Sequence, residues 1–192
     1  DGYISPENYI VEGDWSNGAF FICADKIKPN NAKCNNLTLK SVQGDKAVVA
    51  ISEKIMNSAE NEHVKIDVAD IPDLVPILAT TACFRKGVTE FYNAARLRIK
   101  ESDRLLSTSE MINTLGGKAE ISDDTLTVYG TGSLEGGTVD SFNDHRIVMS
   151  AAIAATACKS PVTIIDAQAV NKSYPTFFGD MKKLGASIQI PD

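Results

Sequence analysis

The stretch LRIKESDRLL, at positions 97–106, marks the point where a predicted strand gives way to a predicted helix. Apolar residues alternate up to Lys100. They then recur with helical spacing, at Leu105, Leu106, Met111, Ile112 and Leu115, until a pair of glycines at 116–117. On such a helix Lys100 and Arg104 share one face, with Glu101 beside them. Because a helix N-terminus adds free N–H groups and partial positive charge, these cations favour an anion site. The alternative is a solvated helix start with local ion pairs.

Composition is typical of an ordinary globular protein. The chain has 192 residues, of which 43% are hydrophobic and 23% are charged, enough for one large domain or two small ones. The net charge of −6 argues against a general nucleic-acid binder, which would show a basic face. No apolar run reaches the ~18 uncharged residues of a membrane span. We therefore expect neither nucleic acid nor a membrane as a partner.

The four cysteines are far apart in the sequence and form no C-x-x-C pair. With only two histidines available to join them, a zinc site is not expected. Scattered cysteines in apolar surroundings are typical of a reducing compartment, which favours the cytoplasm. The chain opens at Asp1 without a charged-then-apolar leader, so we expect no signal peptide. It also lacks an initial Met, so we expect the sequence to be a piece of a longer protein.

A pattern of helix, strand, helix and strand recurs three times and predicts the architecture. The units cover roughly residues 8–69, 70–130 and 138–192. Each is too small to bury its own core, so we expect one domain, with three apolar first helices packed around a common axis and the second helices outside. The predicted helices begin near residues 15, 47, 70, 100, 145 and 171, and the predicted strands are 8–12, 37–42, 64–68, 88–92, 118–121, 125–129, 139–142, 162–165 and 187–190. Pro76 lies inside the third helix, which therefore either begins later or has a distorted first turn.

If the units are equivalent, the helix N-termini bear on one end of the domain and attract anions there. The charged side chains near them are Asp73, Lys100, Glu101, Arg104, His145, Arg146 and Lys172, with Arg96 and Arg98 just upstream. The implied ligand carries phosphate or carboxylate groups. The glycine-rich stretch 130–137 lacks the Gly-Lys-Ser/Thr ending of a phosphate loop, and we interpret it as a flexible connection.

The same surface holds candidates for proton transfer. Asp73, at a helix N-terminus, is expected to stay ionised and suits a general base. Glu101 lies between cations, and Lys172 is a candidate proton donor beside two arginines. Structural roles are the alternatives: Asp73 only caps its helix, His145 is a structural hydrogen-bonding group, and Arg98 pairs with Glu101 or Asp103.

Five stretches resemble the 5-enolpyruvylshikimate-3-phosphate synthases, or 3-phosphoshikimate 1-carboxyvinyltransferases. They are VEGDWSNGAFF (11–21), DIPDLVP (70–76), LRIKESDRL (97–105), NDHRIVM (143–149) and NKSYPTF (171–177). They span almost the whole chain in the order of the family. The KESDR and DHR motifs are the specific ones.

The resemblance implies an α/β (α+β) fold of two similar domains, each made of three βαβαββ units around a pseudo-threefold axis. Helices are buried inside, sheets and further helices lie outside, and the active site is the cleft between the domains. Residues 1–192 would be a single domain, the carboxy-terminal one. The missing amino-terminal domain would be its partner, and the complete chain would be a monomer.

The implied reaction moves the enolpyruvyl group of phosphoenolpyruvate onto the 5-hydroxyl of shikimate 3-phosphate and releases phosphate. It belongs to the shikimate pathway, which leads to chorismate and the aromatic amino acids, and it is the target of glyphosate. The resemblance implies no metal and no organic cofactor. It also implies that this domain does not turn over alone.

On the shikimate 3-phosphate side, Asp73 resembles the base that takes the proton from the 5-hydroxyl. Lys100 resembles a contact next to that hydroxyl. Arg96 stands where some relatives have an asparagine that touches the substrate. His145, in the DHR motif, is implied to be a further substrate-binding residue.

On the phosphoenolpyruvate side, Arg104 and Arg146 resemble the arginines that bind the carboxylate, a role that suits their forked side chains. Glu101 resembles the group that handles the proton at the methylene carbon. Lys172 resembles the lysine that contacts phosphoenolpyruvate and donates a proton. The sequence does not decide which of Glu101 and Lys172 delivers that proton.

The chain departs from the family pattern in two ways, and two alternative functions stay open. Region 43–70 is shorter than the usual first unit and lacks part of a strand pair, and the other domain is absent. One alternative is a domain of the same fold that acts on UDP-N-acetylglucosamine, against which the Lys100–Arg104 motif argues. The other is a non-catalytic anion-binding domain that has lost its partner half.

Overall fold

A computed structural model describes residues 2, 4, 7–29 and 31–190. Over these residues the fold is a mixture of α-helices and β-strands, as predicted. In chain order the elements are α1 (Trp15–Ile27), α2 (Val48–Asn57), β1 (His63–Asp67), α3 (Val75–Cys83), β2 (Lys86–Tyr92), α4 (Arg104–Thr114), β3 (Ala119–Ser122), β4 (Thr125–Thr131), β5 (Gly137–Asp140), α5 (His145–Ala155), β6 (Val162–Ile165) and α6 (Phe177–Lys183). Short 3₁₀ turns lie at Gly44–Ala47, Pro72–Leu74, Ala95–Ile99 and Ala167–Lys172.

The core forms where α1, α3 and α5 pack against one another. Every residue of α3 is buried, and so is all of α5 except Ala155. Buried alanines occur on all three helices, and each fully buried leucine or isoleucine side chain contributes about 1.5–3 kcal/mol. The prediction that three apolar first helices lie inside the domain is therefore confirmed.

Two sheets lie beside this helical core. The larger has the strand order β1-β2-β4-β3, with β1 parallel to β2 and the other pairs antiparallel. Strands β3 and β4 form the predicted hairpin, in which Ser122 pairs with Thr125 and Asp123 takes a left-handed conformation at φ 48°. The smaller sheet pairs β5 with β6 in parallel. Six of the predicted strands are thus confirmed, within a few residues at their ends.

Of the remaining predicted strands, 8–12, 37–42 and 187–190 are wrong, because none of these stretches joins a ladder. Tyr9 and Ile10 are 79% and 85% exposed, and the segment 37–42 is interrupted by a turn at Leu39-Lys40. A single extended segment without a partner leaves its backbone groups to water, so alternating apolar residues are not enough to make a strand. The division into three repeating units stays a prediction.

Two helices begin later than predicted because of proline. The 3₁₀ turn Pro72–Leu74 precedes α3, so that Pro76 occupies the second position of the helix, where no backbone donor is needed. The last helix begins at Phe177 rather than near 171, because Pro175 disfavours a helical conformation in the residue before it.

The charged stretch also differs from its prediction. Ala95–Ile99 is a 3₁₀ turn rather than a strand, with Leu97 buried and Ile99 83% exposed. Helix α4 begins at Arg104, because the Asp103 side chain caps it by accepting a hydrogen bond from Leu106 N at 3.2 Å. Lys100 and Glu101 therefore lie in a loop that leads into the helix, where their side chains are free of the helical register.

The first residue of the glycine-rich stretch 130–137 is not part of a flexible connection. Gly130 lies within β4, where an added Cβ would stand 2.1 Å from Arg85 O and 2.2 Å from Ala82 O. Farther along, Glu135 N donates to Leu115 O at 2.8 Å and Gly137 N donates to Pro161 O at 3.2 Å. Close packing, rather than freedom, explains the glycine at position 130.

Within the described part of the chain, no helix combines the length and the apolar character needed to cross a bilayer. The same residues contain no group of three or more His, Cys, Asp or Glu side chains arranged to hold a metal ion. Cys23 and Cys83 are core thiols, and burial raises the pKa of each to about 12.

Candidate active site

Three loops bring the charged side chains together. They are the turn Pro72–Leu74 before α3, residues 100–103 before α4 and residues 141–144 before α5. The last loop is conformationally unusual, since Phe142 and Asn143 both have positive φ values, 51° and 54°. Left-handed backbone at two consecutive non-glycine residues is uncommon and is found mostly where a site requires it.

Arg104 is the centre of the cluster, and its side chain is 1% exposed. It donates from Nη1 to Asp73 Oδ1 at 2.7 Å, from Nε to Asp144 Oδ2 at 2.7 Å and from Nη2 to Asp144 Oδ1 at 3.3 Å. Nη2 also donates to Glu101 Oε2. Burial alone would lower the pKa of Arg104, but hydrogen bonding and charge from Asp144, together with the other two carboxylates, raise it. The guanidinium is thus a fixed cation.

Asp73 faces three cations. Its Oδ1 accepts from Arg104 and lies 3.1 Å from Lys100 Nζ, and its Oδ2 lies 3.4 Å from Arg146 Nη2. Burial acts to raise the pKa of Asp73, but the charge of Arg146, the hydrogen bond from Lys100 and the charge of Arg104 outweigh it, and the pKa is lowered. Asp73 is therefore ionised at neutral pH, as a general base must be.

Arg146 is a buried arginine with donors to spare. Its side chain is 8% exposed, and Nε and Nη1 have no hydrogen-bond partner in the described part of the chain. Burial lowers its pKa, although the charge of Asp73 acts in the opposite direction. Leaving buried N–H groups unpaired costs free energy, and a bound anion would satisfy both of them with charge-assisted hydrogen bonds.

The other predicted residues lie at different distances from this cluster. His145 is 5% exposed. Its Nδ1 lies 3.9 Å from Asp144 Oδ1 and makes no hydrogen bond to the described residues. Burial, together with the charge of Arg146, lowers the pKa of His145. Lys172 is exposed and donates to Asn143 O at 2.5 Å, so it touches the α5 loop rather than the ion pairs. Arg96 is exposed and donates to Ala69 O at 3.1 Å, outside the ion-pair cluster.

Arg98 is accounted for by local pairing. It donates from Nη1 to Asp103 at 3.1 Å and from Nη2 to Asp123 O at 2.6 Å, which confirms the structural alternative for this residue. These bonds fasten the loop before α4 to the tip of the β3–β4 hairpin. Arg98 thereby helps to place Lys100 without joining the cluster itself.

Sequence reasoning missed two carboxylates. Asp144 was visible only as part of a motif, yet it is completely buried against Arg104. Asp45 accepts a hydrogen bond from Ser16 at the N-terminus of α1, and its charge acts on Arg146. Burial raises the pKa of Asp45, and the charges of Asp73 and Asp14 act in the same direction. The one signal available in the sequence was the position of Asp144, directly before a helix that begins with His145 and Arg146. No comparable signal pointed to Asp45.

The three loops and the first turns of α4 and α5 thus combine an ionised carboxylate, a fixed arginine and an arginine with unpaired donors. A family model for EPSP synthase (3-phosphoshikimate 1-carboxyvinyltransferase) matches residues 2–181. The chain belongs to this family. The resemblance seen in the five sequence stretches is thereby confirmed.

Named relatives agree with this assignment. A 3-phosphoshikimate 1-carboxyvinyltransferase from Clostridium acetobutylicum is 43% identical, in an alignment that covers 94% of this chain and 44% of the relative. One from Methanocaldococcus jannaschii is 36% identical, in an alignment that covers 96% of this chain and 46% of the relative. The chain therefore spans a little under half the length of the curated relatives that it matches.

Solved structures show the same fold. EPSP synthase from Acinetobacter baumannii superposes with a TM-score of 0.80 at 24% identity, covering 95% of this chain and 48% of that one. The enolpyruvyl transferase NikO from Streptomyces tendae superposes with a TM-score of 0.61 at 16% identity, covering 93% and 44%. The chain thus has an enolpyruvyl transferase fold, of which it forms about half.

Proposed function

We propose that this domain forms one wall of an active site that transfers the enolpyruvyl group of phosphoenolpyruvate to the 5-hydroxyl of shikimate 3-phosphate. Phosphate is the other product. The reaction takes place in a complete protein about twice as long, in which the second domain supplies the opposite wall. The 192-residue chain alone does not turn over.

One observation carries the proposal: the two unpaired, buried donors of Arg146 lie beside a guanidinium that is already fixed at Arg104. Two arginines that pair with the same carboxylate, Asp73, suit a ligand that carries both carboxylate and phosphate groups, as phosphoenolpyruvate does. Membership of the family supports this reaction as the one for which such a site is built. A non-catalytic anion site would not require Asp73, an ionised carboxylate, at the same place.

The acceptor side of the reaction depends on Asp73 and Lys100. Asp73 takes the proton from the 5-hydroxyl while the hydroxyl oxygen bonds to the central carbon of phosphoenolpyruvate. Lys100, 3.1 Å from Asp73, holds the substrate next to that hydroxyl and keeps the base ionised until the substrate arrives. His145 and Arg96 complete the substrate contacts; Arg96 must leave Ala69 O to do so.

The donor side depends on Glu101, Lys172 and the two arginines. Arg104 and Arg146 bind the carboxylate, and Lys172 contacts phosphoenolpyruvate. When the central carbon of phosphoenolpyruvate gains the new C–O bond, its double bond is broken, and Lys172 or Glu101 delivers a proton to the methylene carbon. The protein then takes a proton back from that carbon as phosphate leaves, and the double bond is restored. No metal or organic cofactor takes part.

The same assignment places the protein on the shikimate pathway towards chorismate and the aromatic amino acids, as a target of glyphosate. We further propose that the complete protein is a monomer in the cytoplasm and binds neither nucleic acid nor membranes. The acidic net charge of −6 and the four unpaired cysteines support these points.

The test is phosphate release by the complete protein encoded by the gene. With phosphoenolpyruvate and shikimate 3-phosphate together we expect continuous release, and with either substrate alone none. UDP-N-acetylglucosamine in place of shikimate 3-phosphate serves as the control acceptor. Turnover with that sugar nucleotide and not with shikimate 3-phosphate would transfer the assignment to the sister reaction, and turnover with neither would reduce the site to anion binding.

A further inference from the structure

The carboxylates around Arg104 differ sharply in their exposure to solvent. Asp73 is 32% exposed and Glu101 is 40% exposed, whereas Asp144 is completely buried. A buried carboxylate must have its charge balanced and its oxygens hydrogen-bonded, because it has no water to rely on. Asp144 therefore has a task within the protein rather than at the solvent-facing surface of the site.

The oxygens of Asp144 are fully occupied. Oδ2 accepts from Arg104 Nε at 2.7 Å and from Ser102 Oγ at 3.0 Å. Oδ1 accepts from Arg104 Nη2 at 3.3 Å and from Arg146 N at 2.9 Å. A carboxylate offers about four acceptor positions, so none is left for a substrate or a reacting proton. Burial acts to raise the pKa of Asp144, but hydrogen bonding and charge from Arg104 outweigh it, and the pKa is lowered.

We propose that Asp144, oriented by Ser102, is the positioning residue for both arginines of the site. This inference rests on the proposed function and adds two residues that sequence reasoning assigned no role. Asp144 fixes the plane of the Arg104 guanidinium through the Nε–Nη2 edge. Through the cap at Arg146 N, the same carboxylate fixes the start of α5, from which the Arg146 side chain extends.

Ser102 determines how Asp144 is held. Its hydroxyl donates to Asp144, so its oxygen is free to accept from Ser107 Oγ, 2.9 Å away on α4. The chain Ser107–Ser102–Asp144 thus links the loop before α4 to the loop before α5. It keeps Asp144 from rotating away from Arg104 when the charges in front of Arg104 change.

This arrangement also predicts which contacts a substrate replaces. An incoming carboxylate meets Asp73 and Glu101, which are partly exposed, on the Nη1 and Nη2 groups of Arg104. It does not reach the Nε–Nη2 contact with Asp144, which is buried. Arg104 therefore changes partners on its outer side while its orientation is kept by the inner one.

The test uses the complete protein with Asp144→Asn, which keeps the shape of the side chain but removes its charge. We expect the KM for phosphoenolpyruvate to rise at least about tenfold, while the KM for shikimate 3-phosphate changes less than about threefold. Ser102→Ala should raise the phosphoenolpyruvate KM about threefold, and Ser102→Thr should restore it. The matched control is Asp103→Asn, because Asp103 caps the neighbouring helix in the same way but does not touch Arg104.

A second readout does not depend on activity. In a ¹⁵N spectrum the Arg104 Nε–H proton, bonded to a buried carboxylate, should exchange slowly in the wild type and at least about tenfold faster in Asp144→Asn. The proposal is overturned if this exchange is unchanged, or if both KM values rise equally with a loss of Tm that Asp103→Asn shares. Absence of transfer activity in the wild-type protein would refute the proposed function. The exchange rate of the Arg104 Nε–H proton would still decide whether Asp144 positions Arg104.

Discussion

Arg146 Nη2 lies 3.4 Å from Asp73 Oδ2, and this is the one ion pair that the Arg146 guanidinium makes among the described residues. Its Nε and Nη1 are buried without a hydrogen-bond partner there. The protein thus keeps a desolvated cation incompletely paired, which costs stability in the unliganded state. Such a cost is expected where a ligand supplies the missing acceptors.

Replacing Arg146 by Met should therefore separate stability from function. We expect Tm of the complete protein to stay the same or rise, because an incompletely paired buried charge is removed. The KM for phosphoenolpyruvate should rise about tenfold or more, since each charge-assisted hydrogen bond contributes about 1.5–3 kcal/mol and about 1.4 kcal/mol corresponds to tenfold. Steady-state kinetics and thermal unfolding measure the two effects.

Arg85→Met is the matched control, since Arg85 is also buried but bonds to Glu62 O, away from the site. It should leave KM unchanged. If Arg146→Met also leaves the phosphoenolpyruvate KM unchanged, Arg146 is a structural residue.

The lowered pKa of Asp73 predicts a pH dependence of stability. The carboxylate is favoured in the folded protein, so its contribution is fully present above the unfolded value of 3.8 and is lost as the pH falls through the lower folded value. We expect Asp73→Asn to lower Tm at neutral pH and the difference from the wild type to shrink below about pH 3.8. Thermal unfolding between pH 7 and pH 2.5 measures it. The control Asp124→Asn removes a carboxylate that is 56% exposed and should leave Tm nearly unchanged across the whole range.

The sequence predicted the clustering of the charged side chains better than it predicted the path of the backbone. Charge, helix starts and motifs were enough to bring Asp73, Lys100, Arg104 and Arg146 into one cluster, although Lys100 is in a loop rather than on a helix. Asp144 was not recognised as part of the site. Its importance comes from complete burial against Arg104, and burial of a polar residue that follows a turn has no signature in a local pattern.

The fold shows a similar limit. The helices α1, α3 and α5 were predictable because each is rich in apolar residues, and their mutual packing follows from that. The stretches 8–12 and 37–42 have strand-like composition but no partner strand among the described residues, and pairing is a property of two segments rather than one. The wrong strands thus mark the places where tertiary partners, and not local preference, decide the structure.

The isolated 192-residue chain should release no phosphate from the two substrates, because the opposite wall of the cleft is missing. Its own contacts should still show in an amide chemical-shift titration. We expect shikimate 3-phosphate to shift signals near Asp73 and Lys100, and UDP-N-acetylglucosamine, the control, to shift neither. Phosphate release by the pure chain would contradict the need for a second domain.

Two glycines offer a matched test of the packing that supports the site. Gly130→Ala would bring a Cβ to 2.1 Å from Arg85 O and 2.2 Å from Ala82 O, both backbone atoms at the C-terminal end of α3. Neither can yield without moving α3 or β4, so we expect a loss of about 2–4 kcal/mol in the free energy of unfolding. Gly179→Ala lies within α6 with nothing within 4 Å, and should stabilise by about 0.5–1 kcal/mol because alanine favours the helix. Denaturant unfolding of both variants decides the matter: equal effects would mean that the contact between β4 and the end of α3 is looser than the structure shows.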